Sequence, residues 1–228
     1  MRWVLFLCLS LVIVGCKGGP KSVVKNLGPA TIPDGATLAE SSDRTVSIMV
    51  PLGWKRGGPS SNPLGSLSDM GMGGSSSDVP SGMQDLANSM ASQDQAADAE
   101  EAAELEKKGI LVWVNDSTRP IVGEERTHFS VKLVKDSGAS LEQAAQDAKA
   151  DLIDEGAPTY VDLPIGKAAR FQTKNIKVDG GELNQILYII VNGDDMYKIR
   201  FATQNGEQAI SQIEKPVIDS LRIKPATP

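Results

Sequence analysis

The chain has 228 residues, 40% of them hydrophobic, and a formal net charge of −6 at neutral pH. This acidic balance argues against a nucleic-acid-binding protein, which needs a basic face, and against electrostatic adhesion to anionic lipid. With two cysteines and one histidine, the chain offers few soft ligands for a metal site, and we expect no metal and no cofactor.

An apolar run at residues 3–14 ends at Gly15 and Cys16. It is shorter than the roughly 20 residues of a transmembrane helix, and a short apolar core after a basic residue is typical of a secretory signal. Its Ile-Val-Gly-Cys ending resembles the lipobox of bacterial lipoproteins. The resemblance implies a lipoprotein signal peptide at 1–15, cleavage between Gly15 and Cys16, and acylation of Cys16. The alternatives are an ordinary signal peptide ending in a chance cysteine, or an uncleaved anchor.

Lipidation would place the protein in the bacterial cell envelope, on the far side of the cytoplasmic membrane. Cys8 lies inside the apolar run and would be removed with it, so the mature chain would have no free thiol and no disulfide,. Its attachment would come from the acyl chains on Cys16, since two or more chains bind a membrane stably. Lys17, next to that cysteine, favours the outer over the inner membrane.

The segment after the signal is predicted to be a lipidated flexible tether at 16–43, because it is rich in Gly and Pro and has no sustained period,. The first strand follows. Val46, Ile48 and Val50 alternate with more polar positions, which is typical of a half-buried strand. The folded domain is therefore predicted to cover residues 44–225.

A low-complexity insertion at 57–108 is predicted to interrupt this domain. Residues 57–82 are mostly Gly, Ser and Pro, a composition that cannot bury enough apolar surface to order itself,. Residues 83–108 contain seven acidic side chains and two lysines with no Gly or Pro, which favours an acidic helix. We expect 57–82 to be disordered and the helix to be either a solvated surface helix or a docking site for a partner.

Ordered patterns return with an apolar strand at 110–114 and an alternating strand around Phe129. The clearest helix is predicted at 140–155, where Ser140 and Gln143 form a capping box before an apolar face. Its Gly156 is typical of a helix C-terminus.

Four further strands are predicted near 158–163, 167–177, 182–192 and 195–203, joined by hairpin turns at Asp-Gly-Gly and Asn-Gly-Asp,. Residues 186–191 are apolar on both faces, which predicts a central strand covered on each side. A last helix is expected at 206–220, interrupted or restarted at Pro216. The fold class is therefore α+β, a twisted antiparallel sheet packed by two main helices.

This order of elements resembles the PsbP-like fold, shared by an extrinsic subunit of photosystem II and a Ran-binding protein. The residues that carry the resemblance are VPLGW at 50–54, the capped helix, and LYIIVNGDDMYKIRFAT at 187–203 leading into VIDSLRI. The similarity covers 44–56 and 109–225 and is greatest to bacterial lipoproteins with this domain. It implies an α/β/α sandwich and a function in binding partners. The long insertion and the scarcity of histidine depart from the family.

No residue pattern specifies a reaction. His128 is predicted to be a surface residue on the polar face of its strand, and the Ser-x-x-Lys at Ser22 and Lys25 is predicted to be a chance match in the tether. Asn192 and its neighbours are predicted to form a turn without calcium-loop spacing. The remaining candidates are aromatic side chains expected in the core and basic side chains expected on a solvated sheet face: Trp54, Trp113, Phe171, Tyr188 and Tyr197, and Lys132, Lys135, Lys198 and Arg200.

These observations favour a non-enzymatic, membrane-anchored lipoprotein that binds an unidentified envelope protein or assists its assembly. One alternative is a carrier of a small or lipidic ligand in a pocket beside the sheet, and a pocket lined by Trp54 and Trp113 would favour it. A hydrolase that the sequence does not reveal is the remote alternative. We expect no catalytic residue, and the predicted functional residue is the lipidated Cys16.

Overall fold

The computed structural model describes residues 22–58, 100–117, 127–150, 156–178, 181–204 and 208–226. The protein has the α+β class predicted from sequence, with antiparallel sheets and, within these ranges, three helices. Its helices are α1 (residues 100–107), α2 (Leu141–Ala150) and α3 (Gln208–Ser220). Its strands are β1 (Thr37–Glu40), β2 (Val46–Val50), β3 (Trp54–Arg56), β4 (Ile110–Asp116), β5 (His128–Val134), β6 (Thr159–Leu163), β7 (Gly166–Val178), β8 (Gly181–Asn192), β9 (Asp195–Gln204) and β10 (Arg222–Ile223).

Seven strands form the main sheet in the order β3-β4-β5-β9-β8-β7-β6, and every neighbouring pair is antiparallel. The predicted Asn-Gly-Asp turn joins β8 to β9, and β7 and β8 pair as an antiparallel hairpin up to Val178 and Gly181. Residues 179 and 180 of the other predicted turn lie outside the described residues. Gly193, in the Asn-Gly-Asp turn, has a φ of 67°, which glycine adopts without steric cost,. The four strands predicted from sequence at 158–203 are therefore confirmed within one or two residues at each end.

Strand β8 is the central strand that its double-sided apolar pattern predicts. Ile186, Tyr188 and Ile190 lie in the larger core, on the side of α3, whereas Leu187 and Ile189 lie in the smaller core under α2. Alternate side chains of a strand point to opposite faces, so a strand that is apolar at every position must be covered twice. Helices α2 and α3 supply this cover from opposite sides of the sheet.

Helix α2 begins where the sequence predicts. The Gln143 backbone N–H donates to Ser140 Oγ at 3.2 Å, which is the N-cap half of the capping box,. The Gln143 side chain, which would form the reciprocal half, donates to Asp147 Oδ1 at 2.7 Å. The apolar stripe of α2 is made of Leu141, Ala144, Ala145 and Ala148, all buried against β7 and β8.

Helix α3 continues through Pro216, contrary to the interruption expected there. Proline removes one helical hydrogen bond. The residues on either side are nevertheless held by the core, since Ile210, Val217 and Ile218 are at most 3% exposed. Burial of this apolar face therefore maintains the helix through a residue that disfavours it.

A second, three-stranded sheet has the order β1-β2-β10. Strand β1 lies within residues 16–43, the segment expected to be a flexible tether, and it pairs with β2 from Thr37 to Glu40. Val24, earlier in the same segment, is 4% exposed and belongs to the larger core. From residue 22 onward, this segment is therefore part of the domain, because its apolar side chains and backbone groups find partners there.

The edges of the predicted insertion are also part of the domain. Strand β3 is followed by Gly57 and by the buried Gly58, and α1 buries Leu105 against the domain.

Several predicted segments lie outside the described residues. They are the signal peptide at 1–15, Cys16, residues 59–82 and the first part of the predicted acidic helix, 83–99. Within the described residues, no helix is both long and apolar enough to cross a membrane.

Candidate functional groove between α1 and β4

A groove of about 310 Å³ lies between α1 and the edge of the main sheet. Its floor and walls come from β3, β4, α1 and the turn between β1 and β2, so both sheets and the end of the predicted insertion contribute. The lining residues are Ser42, Arg56, Gly57, Ala102, Leu105, Glu106, Ile110, Leu111 and Trp113. Four of these are large apolar side chains, and we call this site the α1–β4 groove.

Gly109 positions α1 beside β4. Its φ of 76° ends the helix in the left-handed conformation, and its N–H donates to the Glu106 carbonyl at 2.9 Å,. A Cβ at this position would lie 2.5 Å from the carbonyl oxygen of Leu133. Glycine therefore allows the helix to end directly against the main sheet, which places Leu105 next to the first residues of β4.

In the part of the chain that the structure describes, β3 covers only part of the outer edge of β4. Strand β3 pairs with β4 only from Val114 to Asp116. Beyond it, the Gly57 N–H donates to the Trp113 carbonyl at 3.1 Å. Among the described residues, no strand pairs with residues 110–113 on this side. Such an edge can accept an extended segment from another protein by main-chain hydrogen bonds, while neighbouring pockets select its side chains.

Charged side chains lie at the rim of the groove. Glu106 accepts a hydrogen bond from Ser42 Oγ at 2.7 Å, which connects α1 to the turn between β1 and β2. Arg56 is exposed at the end of β3. The groove therefore has an apolar interior and a rim with both signs of charge, an arrangement common at protein-binding surfaces.

Trp113 is held in place by polar and aromatic contacts. Its Nε1–H donates to Asn115 Oδ1 at 2.8 Å, and Asn115 Nδ2 donates to the Gly58 carbonyl at 2.7 Å. The Trp113 and His128 rings stack with their centroids 4.2 Å apart. These contacts hold the indole in one orientation, and a preorganised side chain loses less entropy when a surface binds a ligand.

The expectation that His128 is a surface residue is wrong, since its side chain is only 1% exposed. The alternation of β5 correctly placed it on the face opposite Phe129. That face is not solvated at this point, because Trp113 on the neighbouring strand covers the imidazole. Periodicity reports which face a residue occupies, whereas its exposure depends on what packs on that face.

A second cavity of about 240 Å³ lies beside α3, and it contains a compact polar cluster. Arg170 Nε donates to Glu214 Oε1 at 2.7 Å, and the Tyr188 hydroxyl donates to the same oxygen at 2.6 Å. Arg170 Nη2 also donates to Glu214 Oε2 at 3.3 Å, which makes the ion pair bidentate,. We call Arg170, Tyr188 and Glu214 the α3 cluster.

The α3 cluster changes the titration of its members. Burial, followed by the hydrogen bond to Glu214 and its charge, raises the pKa of the Tyr188 hydroxyl above its usual value of 10.0,. The hydrogen bond to Glu214 raises the pKa of Arg170. Because the three groups satisfy one another, the cluster joins α3 to the sheet, and we assign it a structural role. Sequence reasoning missed it, since Glu214 lies 44 residues from Arg170.

The other candidates from sequence fall elsewhere. Trp54 stacks against Phe129 in the larger core, with centroids 5.8 Å apart, so Trp54 does not share the groove with Trp113. Phe171, Tyr188 and Tyr197 are buried, as expected for core residues. Three of the four basic residues do share a sheet face, because Lys132 pairs with Lys198, and Arg200 follows two residues later on β9.

The Asn-Gly-Asp turn has an unexpected second role. Asn192 Oδ1 accepts hydrogen bonds from the Val24 and Ala226 amides at 3.3 and 3.1 Å. Ser22, expected to lie in a free tether, accepts a hydrogen bond from the Gly193 N–H at 2.8 Å.

Within the described residues, no group of three or more His, Cys, Asp or Glu side chains could hold a metal ion. Gly15 and Cys16 lie outside the described residues.

No protein-family model matches the chain, and no curated protein is similar to it in sequence. Two solved structures are similar in fold. A protein from Bacteroides thetaiotaomicron is 14% identical over 83% of this chain, with a TM-score of 0.45, and the chain spans about half (49%) of its length. Cyanobacterial PsbP (CyanoP) from Synechocystis sp. PCC 6803 is 12% identical, with a TM-score of 0.46, over 87% of this chain and 98% of that one.

Proposed function

We propose that this protein is a membrane-anchored envelope lipoprotein whose domain binds another protein and catalyses no reaction. The observation that carries the binding function is the α1–β4 groove, where an apolar interior adjoins a strand edge without a partner strand among the described residues. The sequence at Gly15 and Cys16 supports the anchor. The partner contributes an extended segment with at least one large apolar side chain.

The groove suits this partner in two ways. An extended segment placed along residues 110–113 would hydrogen-bond to the backbone of β4 and continue the sheet. Its inward-pointing side chains would meet Leu105 and Trp113, which are already fixed by their contacts with the domain. The rim charges of Arg56 and Glu106 would add orientation more than affinity, because exposed ion pairs contribute about 0–1 kcal/mol.

A small-ligand carrier is the second candidate, because a cavity of 310 Å³ is at the lower end of the size range of ligand pockets,. The pocket lined by both Trp54 and Trp113 that would favour a carrier is not formed, since Trp54 faces the larger core. The carrier would be supported if the purified protein retained a stoichiometric lipid or other small molecule, detected by mass spectrometry after extraction.

Replacing Cys16 with alanine tests the anchor. We expect the variant to lose acylation and to move from the membrane fraction to the soluble fraction, because it lacks the thiol that accepts the lipid. Fractionation after a high-salt wash, together with the mass of the intact protein, measures both effects. A Cys16→Ala protein that has the mass of the cleaved chain and still stays with the membrane would contradict the lipid anchor. Lys25→Ala serves as the control and should remain membrane-bound.

A photo-crosslinking amino acid at Ala102 tests the groove. Ala102 and Ala103 are adjacent exposed residues of α1, but only Ala102 lines the groove. We expect a crosslink to one defined protein from position 102 in intact cells, and at least a severalfold weaker one from position 103. Combining the crosslinker at 102 with Leu111→Arg should abolish the product by filling the groove with a charged side chain. Equal crosslinking from both positions, or a product that survives Leu111→Arg, would contradict binding at this site.

A further inference from the structure

Asn192 joins the first and the last described segments of the chain to one end of the main sheet. Its side-chain oxygen accepts hydrogen bonds from the Val24 and Ala226 amides, and its Nδ2 donates to the Lys224 carbonyl at 3.0 Å. Asn192 is itself buried, with 3% of its surface exposed. Both the first and the last described segments are therefore attached to the turn between β8 and β9.

Backbone hydrogen bonds fasten the first segment along the same end of the sheet. The Gly193 N–H donates to the Ser22 carbonyl, and the Lys25 N–H donates to the Ile165 carbonyl, both at 2.8 Å. Ile165 lies in the turn between β6 and β7, so residues 22–25 cross from one turn to the next. A Cβ on Gly193 would lie 2.9 Å from the Ala226 side chain, so glycine allows the last segment to pass this close.

These contacts shorten the connection between the proposed anchor and the domain. Only residues 17–21 separate Cys16 from Ser22. Six steps of extended chain span at most about 21 Å. A tether that remained free up to residue 43 would reach several times farther. The point at which the chain joins the domain therefore stays near the bilayer whenever Cys16 is lipidated.

We infer that the end of the main sheet carrying the β8–β9 turn faces the membrane and is held there by this short connection. The inference rests on the proposed lipid anchor at Cys16. The opposite end of β8, at Glu182, lies ten residues away, which is about 33 Å at the rise of a β-strand. The domain therefore has a membrane-proximal end and a distal end.

The orientation has a consequence for the partner. Ile110 lines the α1–β4 groove and pairs with Lys132 of β5. Lys132 pairs in turn with Lys198, which is three residues after the start of β9. The groove therefore begins about 10 Å above the membrane-proximal turn along the strands. A partner segment that docks there must lie near the lipid surface, as the juxtamembrane part of an integral or lipid-anchored protein does.

Site-specific fluorescence quenching tests the orientation on the full lipidated protein in vesicles. Cys8 and Cys16 are the two cysteines of the chain, so after processing and acylation an introduced cysteine is the one free thiol. Lys135→Cys labels the membrane-proximal end, beside the last residue of β5, and Glu182→Cys labels the distal end. Both native side chains are exposed. The vesicles contain phosphatidylcholine, phosphatidylglycerol and a lipid with a nitroxide on its headgroup.

The label at 135 should be quenched at least about threefold more strongly than the label at 182, since ~33 Å separates the two ends. A twenty-residue Gly-Ser insertion between Gly19 and Pro20 should leave flotation with the vesicles unchanged and remove most of the difference. Equal or reversed quenching of protein that floats with the vesicles would overturn the orientation and leave the anchor standing. Failure to float, with intact protein in the soluble fraction, would overturn the anchor and the orientation together.

Discussion

Replacing Phe129 with alanine should lower the free energy of unfolding by about 3–5 kcal/mol, the usual cost of removing a buried aromatic side chain. Phe129 is fully buried in the larger core. Its ring packs between those of Trp54 and Phe201, with centroid distances of 5.8 and 5.7 Å. Truncation would remove apolar contacts from β3 and β9 at once and leave a cavity between two rigid aromatic rings that cannot close over it.

This loss is a large fraction of the 5–15 kcal/mol that stabilises a typical domain. Urea denaturation followed by tryptophan fluorescence and by circular dichroism would measure it. Lys132→Ala is the matched control, because Lys132 is an exposed residue on the same strand, and it should change the stability by less than about 0.5 kcal/mol. A loss for Phe129→Ala similar to that of the control would contradict the packing of β3 and β9 around this ring.

Breaking the α3 cluster should have the second largest effect. Glu214→Ala removes the acceptor of both Arg170 and Tyr188 and leaves the guanidinium, on a side chain 23% exposed, without its counter-charge. Hydrogen bonds to charged groups contribute about 1.5–3 kcal/mol each, and we expect a loss of that order. Measuring Glu214→Ala, Arg170→Ala and the double variant gives the coupling energy between them, expected to be about 1–3 kcal/mol.

The same helix supplies the control for this cycle. Lys215 and Asp219 form an ion pair one turn apart, with the lysine side chain 82% exposed, and such surface pairs couple by about 0.3–0.5 kcal/mol. If the coupling of Arg170 with Glu214 were no larger than that of Lys215 with Asp219, the cluster would not be what holds α3 to the sheet.

Alkaline pH offers an independent measure of the α3 cluster. The pKa of Tyr188 is raised in the folded protein, whereas an unfolded tyrosine titrates near its usual value of 10.0. Its contribution is therefore fully present below pH 10 and is lost as the pH rises further, because the unfolded chain releases the proton first. Tyr188→Phe should flatten the fall in stability above pH 10. Part of the fall in stability should persist in this variant, since burial also raises the pKa of Tyr197.

Features that depend on neighbouring residues could be predicted from sequence. Ser140 caps α2 through an amide three residues away, and Gly193 and Asp194 form the hairpin turn between β8 and β9 because glycine adopts its positive φ without steric cost,. The double-sided burial of β8 also follows from its own composition. Local chemistry was sufficient here, and so the fold class, the order of the long strands and the two main helices agree with the structure.

Tertiary contacts decided the features that bear on function. The burial of His128 depends on Trp113 of the neighbouring strand, and the α1–β4 groove exists because α1 and β4 lie against each other. The composition of the first segment predicts a tether, because it is rich in Gly and Pro and shows no hydrophobic periodicity. The Val24 N–H nevertheless donates to the side chain of Asn192, which lies 168 residues away in the sequence. Such pairs leave no local pattern, because each partner is satisfied by a residue whose position only the folded chain defines.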